Sequence, residues 1–282
     1  GQYFRAARYA FDAQQEDRSL SGQAYARAAL SLLRAGLKNS ASYFFIRALQ
    51  TGSKSDLRPL LVHTEEFLEG GGIDLFKSFL LKHTSAEDYD DRQRGVLDYL
   101  LGRKELLAGR ESSAYDYLAR IPSSSRWYAR ARLARGAALA QKGEGPAALA
   151  DFRACERSAR TSNLRMRCIA GQARTLYQMN QFDAAEDQYD RIPKTSLIWT
   201  DTLYEMAWVA FSREEYNRSL GRLVSYKSPA LQFVHHPEIE VLRAQSFLAL
   251  CLYVDAHDGV QDFYRRYGGV GEQIKRLLER QG

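Results

Sequence analysis

Long apolar runs are missing from this 282-residue chain. The most apolar stretch, residues 247–254, is far shorter than the roughly 18–20 residues that a helix needs to cross a bilayer. The hydrophobic share of 45% is still enough to form a substantial core, so we expect a folded globular chain. Because the chain begins at Gly1 rather than Met, an upstream signal, lipid anchor or catalytic domain stays open.

Cysteine is scarce, with three residues and no CxxC pair. The positions of Cys155, Cys168 and Cys251 do not fit a cysteine-based metal site or a disulfide-rich scaffold. Each lies among apolar positions of a helical pattern, which favours buried structural thiols. A bridge between Cys155 and Cys168 is the alternative if the two residues lie on adjacent helices.

Motifs of the common enzyme classes are also missing. The sequence has no Walker-type phosphate loop, no HExxH, no GxSxG and no dinucleotide fingerprint after a strand. The glycine-rich residues 268–271 follow a helical pattern, and we predict a loop there. His235 and His236 are adjacent, so their side chains point apart and do not form a metal site by themselves. We therefore predict no catalytic residues, no metal, no cofactor and no enzyme activity.

The net charge of +6 is unevenly distributed. Residues 120–174 contain twelve Arg or Lys and three acidic residues, which gives this segment a formal charge of +9. The rest of the chain therefore carries −3. Such a segment predicts a basic patch that could bind nucleic acid or another anionic polymer. The competing interpretation is a set of solvated helix faces.

What the sequence does contain is a repeat. A small residue recurs at Ala114, Ala148, Ala185, Ser219 and Ala256, at intervals of 34, 37, 34 and 37 residues. A large apolar residue follows four positions after each. A small side chain at one turn of a helix allows a neighbouring helix to approach closely, and the large side chain fills the space beside it. This period indicates stacked helix pairs, each of which buries its apolar face against its neighbours.

Turn residues agree with this division into helix pairs. Residues that tolerate a left-handed backbone stand where first helices should end, at Gly109, Gly143 and Asn180. Prolines follow the second helices, at Pro122, Pro193 and Pro229. Within the units, apolar residues recur at three- and four-residue intervals, as in helices, without the alternation of strands.

These units resemble tetratricopeptide repeats. The shared features are the small residue of the first helix, the glycine turn, the alanine and aromatic pair of the second helix, and the closing proline. The resemblance covers residues 21–266 and is weaker before residue 70. It implies an all-α fold, namely a right-handed superhelical solenoid of antiparallel helix pairs with about six to seven repeats.

We expect a single solenoid over residues 1–282, in four parts. These are divergent helices and a repeat at 1–70, a degenerate repeat at 71–93, well-formed repeats at 94–266 and a capping helix at 267–282. The glycines at 70–72 are a candidate hinge. Near the C-terminus, Ile274, Leu277 and Leu278 form an apolar stripe that either caps the stack or serves as a contact, and we favour capping.

The resemblance also implies that first helices line a concave groove that binds partners. The residues that it assigns to this face are Tyr99, Arg103, Arg130, Arg167, Arg174, Tyr177, Gln178, Tyr204, Trp208 and Phe211. The set is basic in the middle and aromatic toward the C-terminal end. This combination suits an extended peptide with a carboxylate or acidic segment beside an apolar anchor. Core packing is the competing interpretation for Trp208 and Phe211.

Together these features predict a non-catalytic scaffold or adaptor that binds a partner protein or peptide, as part of a larger bacterial assembly. Residues 203–264 resemble the aromatic-rich repeats of tetratricopeptide lipoproteins and periplasmic adaptors, which slightly favours a periplasmic or outer-membrane-associated location over the cytoplasm. Binding of nucleic acid or an anionic polymer through residues 120–174 is the alternative function, and self-association stays open.

Overall fold

The computed structural model describes residues 1–69, 73–90, 93–231, 234 and 236–281. The candidate hinge at residues 70–72 and His235 lie outside this set. Across the described residues the secondary structure is helical with no strand, which confirms the all-α prediction. The chain forms two compact units, Gly1–Arg135 and Gly136–Gly282. In the part of the chain that the structure describes, no helix has both the length and the apolar character required to cross a membrane.

The first unit contains long helices at both ends and shorter helices between them. They are α1 Gln2–Glu16, α2 Ser21–Arg34, α3 Lys38–Thr51, α4 Lys54–Leu61, α5 Thr64–Glu69, α6 Ile73–His83, α7 Arg94–Leu107 and α8 Glu111–Arg120. The shorter helices α4 and α5 lie before residue 70, where the resemblance to the repeat is weaker. Helix α9, Tyr128–Gln141, begins in this unit and ends in the second.

A continuous apolar core holds the first unit together. It includes Phe45 and Phe67, both fully buried, with ring centroids 4.6 Å apart. Backbones also approach closely, since a Cβ on Gly22 of α2 would lie 2.4 Å from the Cα of Gly52. Glycine at position 22 therefore allows α2 to touch the end of α3.

The helices of the second unit form consecutive antiparallel pairs. They are α10 Gly145–Ser158, α11 Ser162–Gln178, α12 Phe182–Asp190, α13 Trp199–Ser212, α14 Tyr216–Val224, α15 Glu238–Ala249 and α16 Tyr253–Gln281. Within this unit α11 pairs with α12, α13 with α14, and α15 with α16.

The small residue of each second helix is buried, as the repeat period predicts. Ala114, Ala148, Ala185 and Ser219 are 0% exposed and Ala256 is 3% exposed. Glycines on first helices add to this close packing. The ring of Phe152 lies against both Gly136 and Gly171, and a Cβ on Gly171 would lie 2.5 Å from that ring. Small residues on one helix therefore accommodate large ones on the next.

The second residue after each of six helices, α2, α7, α9, α11, α13 and α15, adopts a left-handed backbone. The positions and φ values are Gly36 at 80°, Gly109 at 70°, Gly143 at 80°, Asn180 at 57°, Glu214 at 63° and Cys251 at 58°. The turns at Gly109, Gly143 and Asn180 confirm the prediction. Glu214 and Cys251 occupy the same turn in the last two pairs, which residue type alone did not reveal.

The expectation of free thiols at Cys155 and Cys168 is wrong. The two residues form a disulfide between α10 and α11, with their Cα atoms 5.8 Å apart. Both are fully buried, as expected. The helices are adjacent across a short connection, so the residues lie within the usual Cα separation of bridged cysteines. Cys251 is a free, exposed thiol rather than a buried one.

The prediction of a loop at residues 268–271 is also wrong, because α16 continues through them to Gln281. Glycine weakens a helix without forbidding it. The apolar spacing on both sides of these glycines continues in one helical register. The chain therefore remains helical where its glycine content predicts a break.

Candidate functional site

A cavity of about 480 Å³ opens between the first helices of two successive pairs in the second unit. Its lining comes from α11, α12 and α13 and consists of Arg174, Tyr177, Gln178, Tyr189, Glu205 and Trp208. We call it the α11–α13 pocket. Residues three and four apart on a helix share one face, so Arg174, Tyr177 and Gln178 reach it from one helix together. Glu205 and Trp208 reach it from the next first helix in the same way.

An ion pair crosses the pocket between α11 and α13. The Arg174 guanidinium donates from Nε to both carboxylate oxygens of Glu205 at 3.0 Å, and from Nη2 to Oε1 at 2.6 Å. Burial works to lower the pKa of Arg174, but Glu205 outweighs it and raises that pKa above its ordinary value. Arg174 is therefore held charged and oriented, with its charge balanced inside the protein.

Tyr189 of α12 forms a hydrogen bond with the acidic member of this ion pair. Its hydroxyl donates to Oε2 of Glu205 at 2.9 Å, and the residue is only 2% exposed. Burial, together with the negative charge of Glu205, raises the pKa of Tyr189. The phenol therefore stays protonated and acts as a fixed donor that orients Glu205.

Aromatic side chains form the apolar wall of the pocket. Trp208 is half-buried. Its ring centroid lies 6.5 Å from that of Tyr204 and 5.7 Å from that of Phe211, and both contacts are edge to face. The Tyr177 hydroxyl lies 2.9 Å from Oγ of Ser212, which ties α11 to α13 a second time. Contacts on both sides fix the orientation of these rings before any ligand arrives.

The pocket therefore combines an apolar wall with a few polar groups. Gln178 is exposed and carries both donor and acceptor groups. Two nitrogens of Arg174 bond to Glu205, which leaves Nη1 for another acceptor. Because this arginine is already neutralised, the site suits an apolar side chain with polar backbone groups beside it. This differs from the carboxylate-binding surface that the row of arginines predicts.

The structure brings four predicted site residues of this unit into the pocket: Arg174, Tyr177, Gln178 and Trp208. Tyr204 and Phe211 do not line it. They pack with Trp208 against an apolar cluster that contains Ala207, Leu223, Ile239 and Leu242. Core packing thus accounts for Tyr204 and Phe211, while Trp208 belongs to both the core and the pocket wall. Arg167 is exposed on α11 and is not part of the lining.

Two predicted site residues of the first unit, Tyr99 and Arg130, lie against a buried tryptophan. Trp127 is 1% exposed, its ring lies 4.9 Å from that of Tyr99, and the Arg130 guanidinium lies 5.0 Å from its centroid. Tyr99 itself is buried, and Arg103 is half-buried one turn later on α7. Tyr99 therefore contributes to packing, and Arg130 covers an aromatic face.

Arginines at the start of the basic segment lie over aromatic rings. Arg120 lies 5.1 Å from the ring centroid of Tyr117, and Arg132 lies 4.7 Å from that of Tyr128. Arg130 does the same on Trp127. These contacts hold guanidinium groups against the protein surface. Part of the local positive charge therefore takes part in contacts within the first unit.

The sequence alone missed Tyr189 and Glu205 as parts of the site. Tyr189 fits the repeat as a core residue, and its hydroxyl role depends on the neighbouring pair. Glu205 lies three residues before Trp208, on the same helix face, which was the available signal. Its pairing with Arg174 spans 31 residues, so the contact becomes visible only once the helices are stacked.

Among the described residues, no three His, Cys, Asp or Glu side chains form a group that could hold a metal ion. No family model matches the chain, and no curated protein does. The chain is similar to a crystal structure of the TPR domain of P58(IPK), at 14% identity over 100% of this chain and 95% of that one, with a TM-score of 0.33.

Proposed function

We propose that the chain is a non-catalytic scaffold that binds an extended segment of a partner protein in the α11–α13 pocket. One observation carries the proposal: two successive first helices bring an aromatic wall and oriented polar groups around one cavity. Side chains that converge from different repeats are how a helical-repeat protein forms a binding surface.

The chemistry of the pocket favours an apolar or aromatic anchor in the partner. Trp208 and Tyr177 offer ring faces and edges, and such anchors dominate the affinity of protein interfaces. Gln178 and Nη1 of Arg174 are placed to bond the backbone of the same segment. Because Glu205 balances Arg174, a strongly acidic segment gains little here.

Affinity capture from the native source tests the proposal with three forms of the chain. Gln178→Trp fills the pocket from an exposed position and leaves the Arg174–Glu205 pair in place. Asp187→Trp is the matched control, because it adds the same bulk at an exposed position of α12 outside the pocket. Circular dichroism and melting temperature should show that all three forms are equally folded.

The expected result is a set of proteins retained by the unmodified chain and by Asp187→Trp but lost with Gln178→Trp. A competing peptide derived from the captured protein should then bind with an affinity that falls at least tenfold in Gln178→Trp. Equal capture by all three forms would exclude this pocket as the binding site. The membership in a bacterial assembly stays a prediction.

A further inference from the structure

The C-terminal helix α16 is much longer than the helix that it packs against. It has 29 residues, whereas α15 has 12. Ala256 is buried, and Phe263 and Tyr267 are half-buried. On a helix of about 100° per residue, these three residues lie on one face, and Val270, Ile274 and Leu277 continue that face within about 60°. A single apolar seam thus extends beyond the part that α15 covers.

Exposure increases along this seam. Ala256 is 3% exposed, whereas Val270, Ile274, Leu277 and Leu278 are 48%, 52%, 57% and 66% exposed. These four side chains therefore pack little against the described helices. The spacing of Tyr267, Val270, Ile274 and Leu277 alternates between three and four residues, which is the pattern of a face that packs against another helix. We call the apolar face formed by Tyr267, Val270, Ile274, Leu277 and Leu278 the distal seam.

Charge is arranged in a regular way around the distal seam. Arg266 and Arg280 flank one edge and Lys275 flanks the other, while Glu272 and Glu279 lie on the opposite side of the helix. Arg280 and Lys275 are exposed. Both edges of the apolar face are therefore basic, and the carboxylates point away from whatever covers it.

Three glycines lie within the same part of α16. A Cβ on Gly268, Gly269 or Gly271 would have no neighbour within 4 Å, so packing inside the described chain does not require glycine there. Glycine is less favourable than alanine in an exposed helix. On the helical wheel Gly271 lies next to the apolar face, whereas Gly268 and Gly269 lie farther round the helix. Close approach of a second helix is therefore unobstructed at Gly271.

We propose that the distal seam binds one amphipathic helix of a partner protein, with an apolar face and acidic edges. Continuity with the face that packs against α15 favours a helix as the occupant. The basic edges favour glutamate or aspartate at the flanking positions of that helix. A second copy of α16 fits less well, because an antiparallel pair brings Arg266 of one copy toward Arg280 of the other.

Two designed peptides test the chemistry of this surface on the full chain. Each has three heptads with Ile and Leu at the a and d positions; one carries Glu at all e and g positions and the other carries Lys there. Fluorescence anisotropy of the labelled peptides measures both affinities. We expect the glutamate peptide to bind at least tenfold more tightly than the lysine peptide.

Two double variants locate the site. Ile274→Asp with Leu277→Asp should weaken binding of the glutamate peptide at least tenfold, and Lys275→Glu with Arg280→Glu should reverse the preference between the peptides. Val254→Asp is the control, because Val254 is 74% exposed on the opposite side of α16. These side chains are exposed, so folding should be retained, which circular dichroism checks.

Equal binding of the two peptides would overturn the proposal, as would binding that survives the seam variant. Sedimentation that shows a dimer lost in the seam variant would assign the surface to a second copy instead. Seam-dependent binding to vesicles of phosphatidylglycerol and phosphatidylcholine, without peptide binding, would assign it to a membrane surface.

Discussion

At the residue scale, turn geometry recurs more faithfully than residue type. The left-handed positions Gly109, Gly143, Asn180, Glu214 and Cys251 are spaced by 34, 37, 34 and 37 residues. In each turn the next residue donates its N–H to a carbonyl five residues earlier, as Glu215 does to Ala210 at 2.9 Å. Glycine identified the turn in earlier pairs, but Glu214 carries no such mark in the sequence.

The strained backbone at Glu214 predicts a stabilising substitution. Its side chain is exposed, so Glu214→Gly should raise the free energy of unfolding by about 0.5–1 kcal/mol through relief of the left-handed strain. Glu214→Ala is the control and should give no such gain, because alanine keeps the Cβ. Urea unfolding compares the three chains, and a loss of stability in Glu214→Gly would contradict the explanation.

Glu156 on α10 predicts a pH dependence of stability. Burial works to raise its pKa, but hydrogen bonds from Gln172, at 2.7 Å, and from Arg191 outweigh burial and hold that pKa below the ordinary 4.5. A lowered pKa contributes stability that is present above pH 4.5 and is lost as the pH falls through the folded-state value.

Glu156→Gln should therefore lower the free energy of unfolding by about 1 kcal/mol at pH 7, because charged hydrogen bonds are lost. The difference in free energy of unfolding between the two chains should shrink as the pH falls below 4.5. Urea titrations between neutral and acidic pH measure it. A difference that does not change with pH would show that ionisation of Glu156 does not stabilise the fold.

At the element scale, the helix pair is the unit of this structure, and neighbouring pairs are joined by specific bonds. The Cys155–Cys168 disulfide joins α10 to α11, and Arg174–Glu205 joins α11 to α13. Periodicity in the sequence predicts the helices and their order. It does not predict these links, since each depends on which side chains meet after the helices pack.

Removal of the disulfide should destabilise the second unit. The bond closes a short loop, with a sequence separation of 13, for which chain entropy gives about 3 kcal/mol. Cys155→Ala with Cys168→Ala should lower the free energy of unfolding by about that amount. Reductant should lower the stability of the unmodified chain but not that of the double variant, which is the internal control.

An unchanged urea midpoint after reduction would contradict a structural role for this bond. Mass spectrometry of the protein from its native source gives a separate readout. Disulfides persist mainly in oxidising compartments, so an intact bond in that sample would place the chain in one.

At the scale of the whole molecule, net charge and binding chemistry point in different directions. The chain carries +6, yet arginines of the first unit lie over aromatic rings, and Glu205 pairs with Arg174 in the second. A protein that depends on phosphate contacts loses affinity steeply with salt, whereas an aromatic anchor in a neutral pocket does not.

Salt dependence therefore separates the proposed function from binding of an anionic polymer. Between 50 and 200 mM salt, affinity for the captured partner should fall less than about tenfold, whereas six or more phosphate contacts would cost about a thousandfold. Single-stranded DNA of random sequence is the comparison ligand. A steep, equal loss for both ligands would favour the nucleic-acid alternative.

The residue pattern was enough to predict the helical class, the order of the pairs, the buried small residues and most of the turns. These features depend on local periodicity and on one or two residues each, which the linear order displays. The pattern did not predict the disulfide, the Arg174–Glu205–Tyr189 group or the division of aromatic residues between core and pocket. Those features depend on which side chains of different helices come into contact, and the packing of the helices determines these contacts.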